Sequence, residues 1–323
     1  MPLKKISVLV PGKLNPHALA RIRAEFNAVE ISSANASGLS TAQRAEIQGI
    51  AAMTTISGPF MAELPNLKIV ANFGVGYDAI DSRYAGANGI MVTNTPDVLT
   101  EEVADTAIGL LLNTIREFPT AECHLRAGNW EAKGNYRLTP LTLRGRKVGI
   151  FGMGRIGAAI AKRLEAFGVS IAYHNRRQVE GLTYAYHPTL VDLASAVDTL
   201  IVVVPGGDAT RHAVNAEVLA ALGSNGVLIN IGRGTTVDEL ALIAALTNHT
   251  IAAAGLDVFE NEPHVRPEFM TLPNAVLFPH LGSASVHTRD AMGNLCVDNL
   301  MSWFSGKGAI TPVPETLHLQ IDG

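Results

Sequence analysis

The chain has 323 residues, more than one hydrophobic core usually organises, so two domains are expected. About half of it is apolar (47%) and only 17% is charged, a balance that excludes a disordered or fibrous chain. The net charge of -4, with no Lys/Arg run longer than a pair, excludes the footprint of a nucleic-acid or anionic-membrane binder.

Taken in chain order, Lys4 and Lys5 precede an apolar run at 6–10 that Pro11-Gly12 ends, too short for a secretory signal. No apolar stretch approaches the ~18 residues of a bilayer span, so a soluble, cytoplasmic protein is expected. Short β-branched runs at 6–10, 50–54, 68–71 and 90–92 read as strands, with helical segments at 16–26 and 79–88 between them. From Glu101 to Phe118, Val103, Ala107, Ile108, Leu111, Leu112 and Ile115 recur at helical spacing, and Thr100 makes a good N-terminus. Residues 125–146 carry little periodicity and read as an irregular arm.

A second unit follows, with strands expected at 147–151, 169–174, 200–204, 227–231, 252–257 and 275–278, nearly all separated by helices. This alternation predicts α/β architecture with doubly wound parallel sheets. Residues 286–303 regain helical spacing and are expected to return to the first domain. Cys123 and Cys296 lie far apart without CxxC, and the ten histidines form no HxxxH, so reduced thiols and no metal site are expected.

The strand at 147–151 runs directly into Gly152-Met153-Gly154-Arg155-Ile156-Gly157 and an amphipathic helix. GxGxxG in that context predicts a dinucleotide site: Gly152 permits the turn, Gly154 lets the backbone approach a pyrophosphate, and Gly157 lets helix and strand pack closely. A glycine-rich packing turn is the plainer alternative. At the end of the next strand, where an NAD site wants a carboxylate, stand Tyr173-His174-Asn175-Arg176-Arg177. No acid repels a 2′-phosphate and two guanidiniums can pair with it, which favours NADPH over a merely solvated basic turn.

Three further residues fall at strand ends of this unit: Arg233 between Gly232 and Gly234, Glu262 before Pro263, and His280 after Pro279. A 2-oxo acid needs a cation that grips carboxylate and carbonyl, and a proton donor near neutral pH. Arg233 suits the first task and His280 the second, while Glu262 can orient the ring and favour its charged form.

At these residues the chain resembles the D-isomer-specific 2-hydroxyacid dehydrogenase family over nearly its whole length. The pieces that carry the likeness are Asn72-Phe73-Gly74-Val75-Gly76-Tyr77-Asp78, Thr93-Asn94-Thr95-Pro96, Gly152 to Gly157, Arg233, Asp257-Val258-Phe259 with Glu262-Pro263, and Pro279-His280. The resemblance implies a flavodoxin-like substrate domain built from residues 1–97 and 285–323, with a Rossmann cofactor domain, 98–284, inserted between them. It implies that the Val75 and Gly76 amides bind the substrate carboxylate, with Asp257 near the nicotinamide carboxamide. It further implies an NADPH site drawing on Gly152, Gly154, Arg155, Ile156, Gly157, Asn175, Arg176, Arg177, Val204, Pro205, Thr210, Ile231, Gly232, Arg233, Asp257, His280 and Gly282.

Within the family, the segments around Asn175 and Thr95 are most similar to NADPH-dependent glyoxylate/hydroxypyruvate reductases and to hydroxyphenylpyruvate reductases. The former activity is the expectation. Reduction of hydroxyphenylpyruvate or phenylpyruvate is the alternative, and a nicotinamide-sensing scaffold like the family's co-repressor relatives is the rival of a different class. A homodimer through the cofactor domain is implied as well, with Trp130 either reaching a partner's active site or buried in the dimer interface.

Overall fold

The computed structural model describes residues 2–320. Its twelve strands are β1 (Ser7–Pro11), β2 (Asn27–Ile31), β3 (Ile47–Ala52), β4 (Ile69–Asn72), β5 (Met91–Thr93), β6 (Lys147–Phe151), β7 (Ser170–His174), β8 (Ala185–Tyr186), β9 (Thr199–Val202), β10 (Val227–Asn230), β11 (Ala253–Leu256) and β12 (Ala275–Leu277). The chain divides into two units, one formed by everything up to Leu99 together with Ser285 onward, the other by Thr100–Ala284. The first crossing therefore falls two residues later than the expected start at Val98.

The first unit is a five-stranded parallel sheet in the order β2-β1-β3-β4-β5, the doubly wound arrangement with a switch between β1 and β3. Its central strands are buried, save for the half-buried Gln48 of β3, which is why they read as apolar runs rather than alternating ones. β2 escaped the sequence reading because it is an edge strand, half-exposed, and Asn27 and Glu30 interrupt its apolar pattern. The helix Val286–Phe304 does return here: Gly49 of β3 leaves room for Leu300 and Phe304, and Cys296 sits against Ala71. Burial pushes that thiol up to about 12, so it is inert in the folded chain.

The second unit carries seven parallel strands in the order β12-β11-β10-β9-β6-β7-β8. The strand order reverses between β6 and β9, the switch point at which such sheets open a crevice beyond their carboxyl ends. Helix Thr100–Arg116 packs on this sheet through Leu110 and Thr114, which lie against Gly255 of β11. Beneath the opposite, amino end, buried Arg146 binds Asp198, Thr199 and the Asn225 carbonyl, tying β6 to β9. Two features depart from expectation. β8 is too short to leave a pattern, and the arm expected at 125–146 is not irregular from its start: a helix, Phe118–Arg126, runs into it and a second, Asn129–Lys133, lies within it. Neither helix buries a residue within the chain, so no apolar stripe was there to be read.

Candidate active site

All the loops expected to carry chemistry in the second unit leave the carboxyl ends of its parallel strands. The glycine turn follows β6, and the following helix, Arg155–Glu165, starts so close that a Cβ at Gly157 would lie 2.1 Å from the Gly152 carbonyl oxygen. Only glycine permits that approach. Helices beginning after Asn15, Thr189, Asn215, Asp238 and Ser285 are capped by those side chains, but no side chain caps the one at Gly154. A Cβ on Gly154 would meet nothing within 4 Å, so the space before the uncapped amides is open. Such a terminus, with its positive dipole end, suits a phosphate.

The rest of the expected cofactor set is contiguous with this turn. Val204 Cγ1 lies 2.8 Å from the Cβ position of Gly152, and Val204 O lies 2.8 Å from that of Gly232. Gly282 in turn approaches Ile231 and Asp257. Arg176 and Arg177 are exposed just past β7, and among the described residues neither has an acidic partner. Three residues take roles the sequence did not reveal. The Asn175 carboxamide accepts from Met153 N–H at 2.7 Å and so braces the glycine turn rather than pointing outward with the arginines. The Thr210 hydroxyl donates to the Pro205 carbonyl at 2.7 Å and so closes its own loop. The buried Asp257 carboxylate accepts from the Leu281 and Gly282 amides at 2.8 and 2.9 Å. Burial raises its pKa, and those two amides oppose the rise.

Asp257 thereby builds the His280 turn. His280 has φ +50, in the left-handed region, and its N–H donates to the Asp257 carbonyl at 2.8 Å. In this pose the imidazole Nδ1 meets Glu262 Oε2 at 2.6 Å. The other Glu262 oxygen accepts from Phe259 N–H at 2.9 Å. Burial alone would raise the pKa of Glu262. The hydrogen bonds from His280 and Phe259, with the charges of His280 and Arg233, outweigh burial and hold it below the usual range.

Arg233 is brought to that carboxylate by its neighbours. A Cβ at Gly234 would lie 1.8 Å from the Phe259 carbonyl carbon, so the Arg233 turn rests directly on the backbone leading to Glu262. Asn230 and Thr236 fix the Arg233 carbonyl from below, and one guanidinium nitrogen donates to Gly232 O at 2.8 Å. The sequence reading missed the group behind this loop: Glu260 pairs with His212, and buried Glu239 accepts from Glu260 N–H and from Arg266. No spacing links His212 to Glu260, so no signal in the chain pointed to the pair. Val75 and Gly76 belong to the first unit, in the half-buried turn after β4.

The family model for the D-isomer specific 2-hydroxyacid dehydrogenase NAD binding domain matches residues 108–282, more than half of the chain. The chain belongs to this family. The dehydrogenase is 45% identical over 314 residues to glyoxylate/hydroxypyruvate reductase A of Arabidopsis thaliana, covering 96% of this chain and all of the relative. It is 48% identical over 250 residues to the hydroxyphenylpyruvate reductase of Plectranthus scutellarioides, covering 77% and 79% of the two chains. Among solved structures, it superimposes on the NADPH-dependent glyoxylate/hydroxypyruvate reductase of Sinorhizobium meliloti, in complex with NADP and malonate. The TM-score is 0.94 and the identity 61%, over 97% of this chain and 98% of that one.

Proposed function

We propose that this dehydrogenase reduces a small 2-oxo acid, of the glyoxylate or hydroxypyruvate kind, to the D-2-hydroxy acid with NADPH. The observation that carries the reading is the His280–Glu262 pair at 2.6 Å, with the Arg233 charge acting on the same carboxylate, on the sheet edge that bears the glycine turn. The relatives named above for glyoxylate and hydroxypyruvate support the substrate class.

The open space at Gly154, the uncapped helix behind it and the paired arginines fit a phosphorylated dinucleotide. Gly152, Gly154, Arg155, Ile156 and Gly157 would hold its pyrophosphate, Arg176 and Arg177 its 2′-phosphate, and Val204, Pro205, Ile231, Gly232 and Gly282 its nicotinamide half. When bound, NADPH supplies the hydride that the carbonyl carbon accepts. Arg233 pairs its planar fork with the substrate's carboxylate and carbonyl oxygens, and the Val75 and Gly76 amides take the carboxylate. Glu262 occupies Nδ1 of His280, which leaves Nε2 as the atom that gives a proton to the oxygen as it becomes a hydroxyl.

The test is turnover of purified protein, followed as NADPH oxidation, with glyoxylate, hydroxypyruvate, phenylpyruvate and hydroxyphenylpyruvate. The reading expects the two small acids to have the higher kcat/KM. Higher values for the aromatic acids would favour the second reading, which the hydroxyphenylpyruvate reductase relative supports. Turnover of none would overturn both and leave a nicotinamide-sensing scaffold.

A homodimer is proposed with it. It is supported by the large apolar side chains left exposed between 118 and 138, namely Phe118, Leu125, Trp130 and Leu138, the last at 95%. Light scattering on the purified chain should give twice the 34.2 kDa of one copy. A cytoplasmic location is proposed too, supported by two free cysteines. Among the described residues, no helix is long and apolar enough to cross a membrane.

A further inference from the structure

The turn after β4 owes its shape to side chains that the proposed chemistry leaves unused. Asn72 closes β4 and is buried at 5% exposure. Its carboxamide nitrogen donates to both Gly74 O and Gly76 O, each at 3.0 Å. Thr95 N–H reaches Gly74 O at 2.9 Å, and Asn94 Nδ2 reaches the intervening Val75 O at 2.8 Å. Three successive carbonyls are thus drawn to one set of donors. Asn94 is itself held by Thr311, whose hydroxyl donates to Asn94 O at 2.6 Å, and Thr311 rests on Asn299, which is fully buried. A carbonyl and the following N–H share one peptide plane and point in opposite directions. Fixing the carbonyls of Gly74 and Val75 therefore fixes the amides of Val75 and Gly76, which share those planes.

We propose that Asn72 is a positioning residue for the substrate carboxylate: by holding the Gly74 carbonyl it aims the Val75 amide, and by holding the Gly76 carbonyl it closes the turn in which Asn94, through the Val75 carbonyl, aims the Gly76 amide, so that the two amides form a ready-made anion nest. This rests on the reading that those amides take a 2-oxo acid's carboxylate, and it names the side chain on which that recognition depends. Both N–H bonds of the Asn72 carboxamide are spent on the turn, so its action on substrate is through the backbone. The carboxylate is present before, during and after reduction, so the nest binds ground state and transition state alike. Its loss raises KM and leaves kcat.

The experiment compares Asn72→Ala and Asn72→Ser with wild type. Measured are kcat, KM for glyoxylate and for NADPH, competitive inhibition by oxamate, and thermal melting. One charge-assisted hydrogen bond lost or misaimed corresponds to about tenfold or more in affinity. The expected result for Asn72→Ala is that KM for glyoxylate and the oxamate inhibition constant rise together by about that factor, with kcat and KM for NADPH within about twofold. Asn72→Ser, which keeps one donor, falls between that variant and wild type. A merely structural role would lower the melting temperature and shift both substrates' constants, or neither. A folded Asn72→Ala with unchanged glyoxylate and oxamate constants overturns the proposal, and if that variant does not fold, unchanged constants in Asn72→Ser do so. A wild-type protein that neither reduces glyoxylate nor binds oxamate removes the underlying reading, and this inference with it. Wild-type activity with unaffected variants removes only the inference.

Discussion

His280 and Glu262 form one chemical unit, and they answer different experiments. His280→Ala removes the proposed proton donor and leaves the glycine turn untouched. Turnover is expected to fall by about 10²–10⁴-fold while NADPH binding, measured by fluorescence titration, changes little. Equal loss of cofactor binding would show that the residue supports the fold of its loop instead. Glu262 reads out in stability. Its folded-state pKa is depressed below the ordinary 4.5 by its partners, in spite of burial. A depressed carboxylate contributes stability that is fully present above its unfolded value and is lost as pH falls through the folded one. Glu262→Gln should therefore be less stable than wild type by about 1–2 kcal/mol at neutral pH. In urea melts that gap should close as the pH is taken below the carboxylate range. A gap independent of pH would mean that the charge of Glu262 contributes nothing.

At the level of elements, the candidate site residues are placed by loops that lean on one another's backbone. The turn after β10 rests on the segment after β11 through Gly234, and the turn after β12 hangs from the Asp257 carboxylate. A methyl group at Gly234 meets main-chain atoms of Phe259 and Glu260 at 1.8–2.4 Å, which cannot swing aside as a side chain would. Gly234→Ala should cost about 1–3 kcal/mol in urea unfolding and lower kcat by displacing both Arg233 and Glu262. A variant with wild-type turnover would show that the two loops are not coupled. The same dependence explains what the sequence left dark here. The Arg233, Glu262 and His280 strand ends were legible because buried strands and glycines mark them. The bracing by Asn175 and Asp257 was not, since their hydrogen bonds join turns 22 to 25 positions apart that no spacing rule connects.

For the molecule as a whole, cofactor choice is the property most open to a direct measurement. A ligand that binds only the folded chain raises its melting temperature in proportion to the logarithm of concentration over Kd. NADPH should therefore raise it more than NADH at equal concentration. Replacing both Arg176 and Arg177 with Ala should abolish the difference while keeping the smaller NADH response, because the proposed role of these guanidiniums is to pair with the 2′-phosphate alone. A larger shift with NADH in the wild type would overturn the NADPH assignment. The exposure of Phe118, Leu125, Trp130 and Leu138 belongs to this scale as well, for among the described residues none buries them.

By itself the sequence determined two parallel α/β units, the glycine turn, the missing acid after β7 and the three strand-end residues. These are local: a buried parallel strand needs an unbroken apolar run, a phosphate turn needs glycines at set intervals, and both stand in contiguous residues. The spacing of the helix Val286–Phe304 was local too, whereas its packing on the first sheet is a matter of tertiary structure. The edge strand β2, the two-residue β8 and the helical start of the arm were decided only in three dimensions. Each lacks a buried face within its own neighbourhood, and burial is what writes periodicity into a sequence. The pairing of Glu260 with His212, and the hold of Asn94 on the Val75 carbonyl, likewise belong to the tertiary structure. A hydrogen bond depends on distance and direction in space, and residues 48 or 19 positions apart carry no trace of either in their order along the chain.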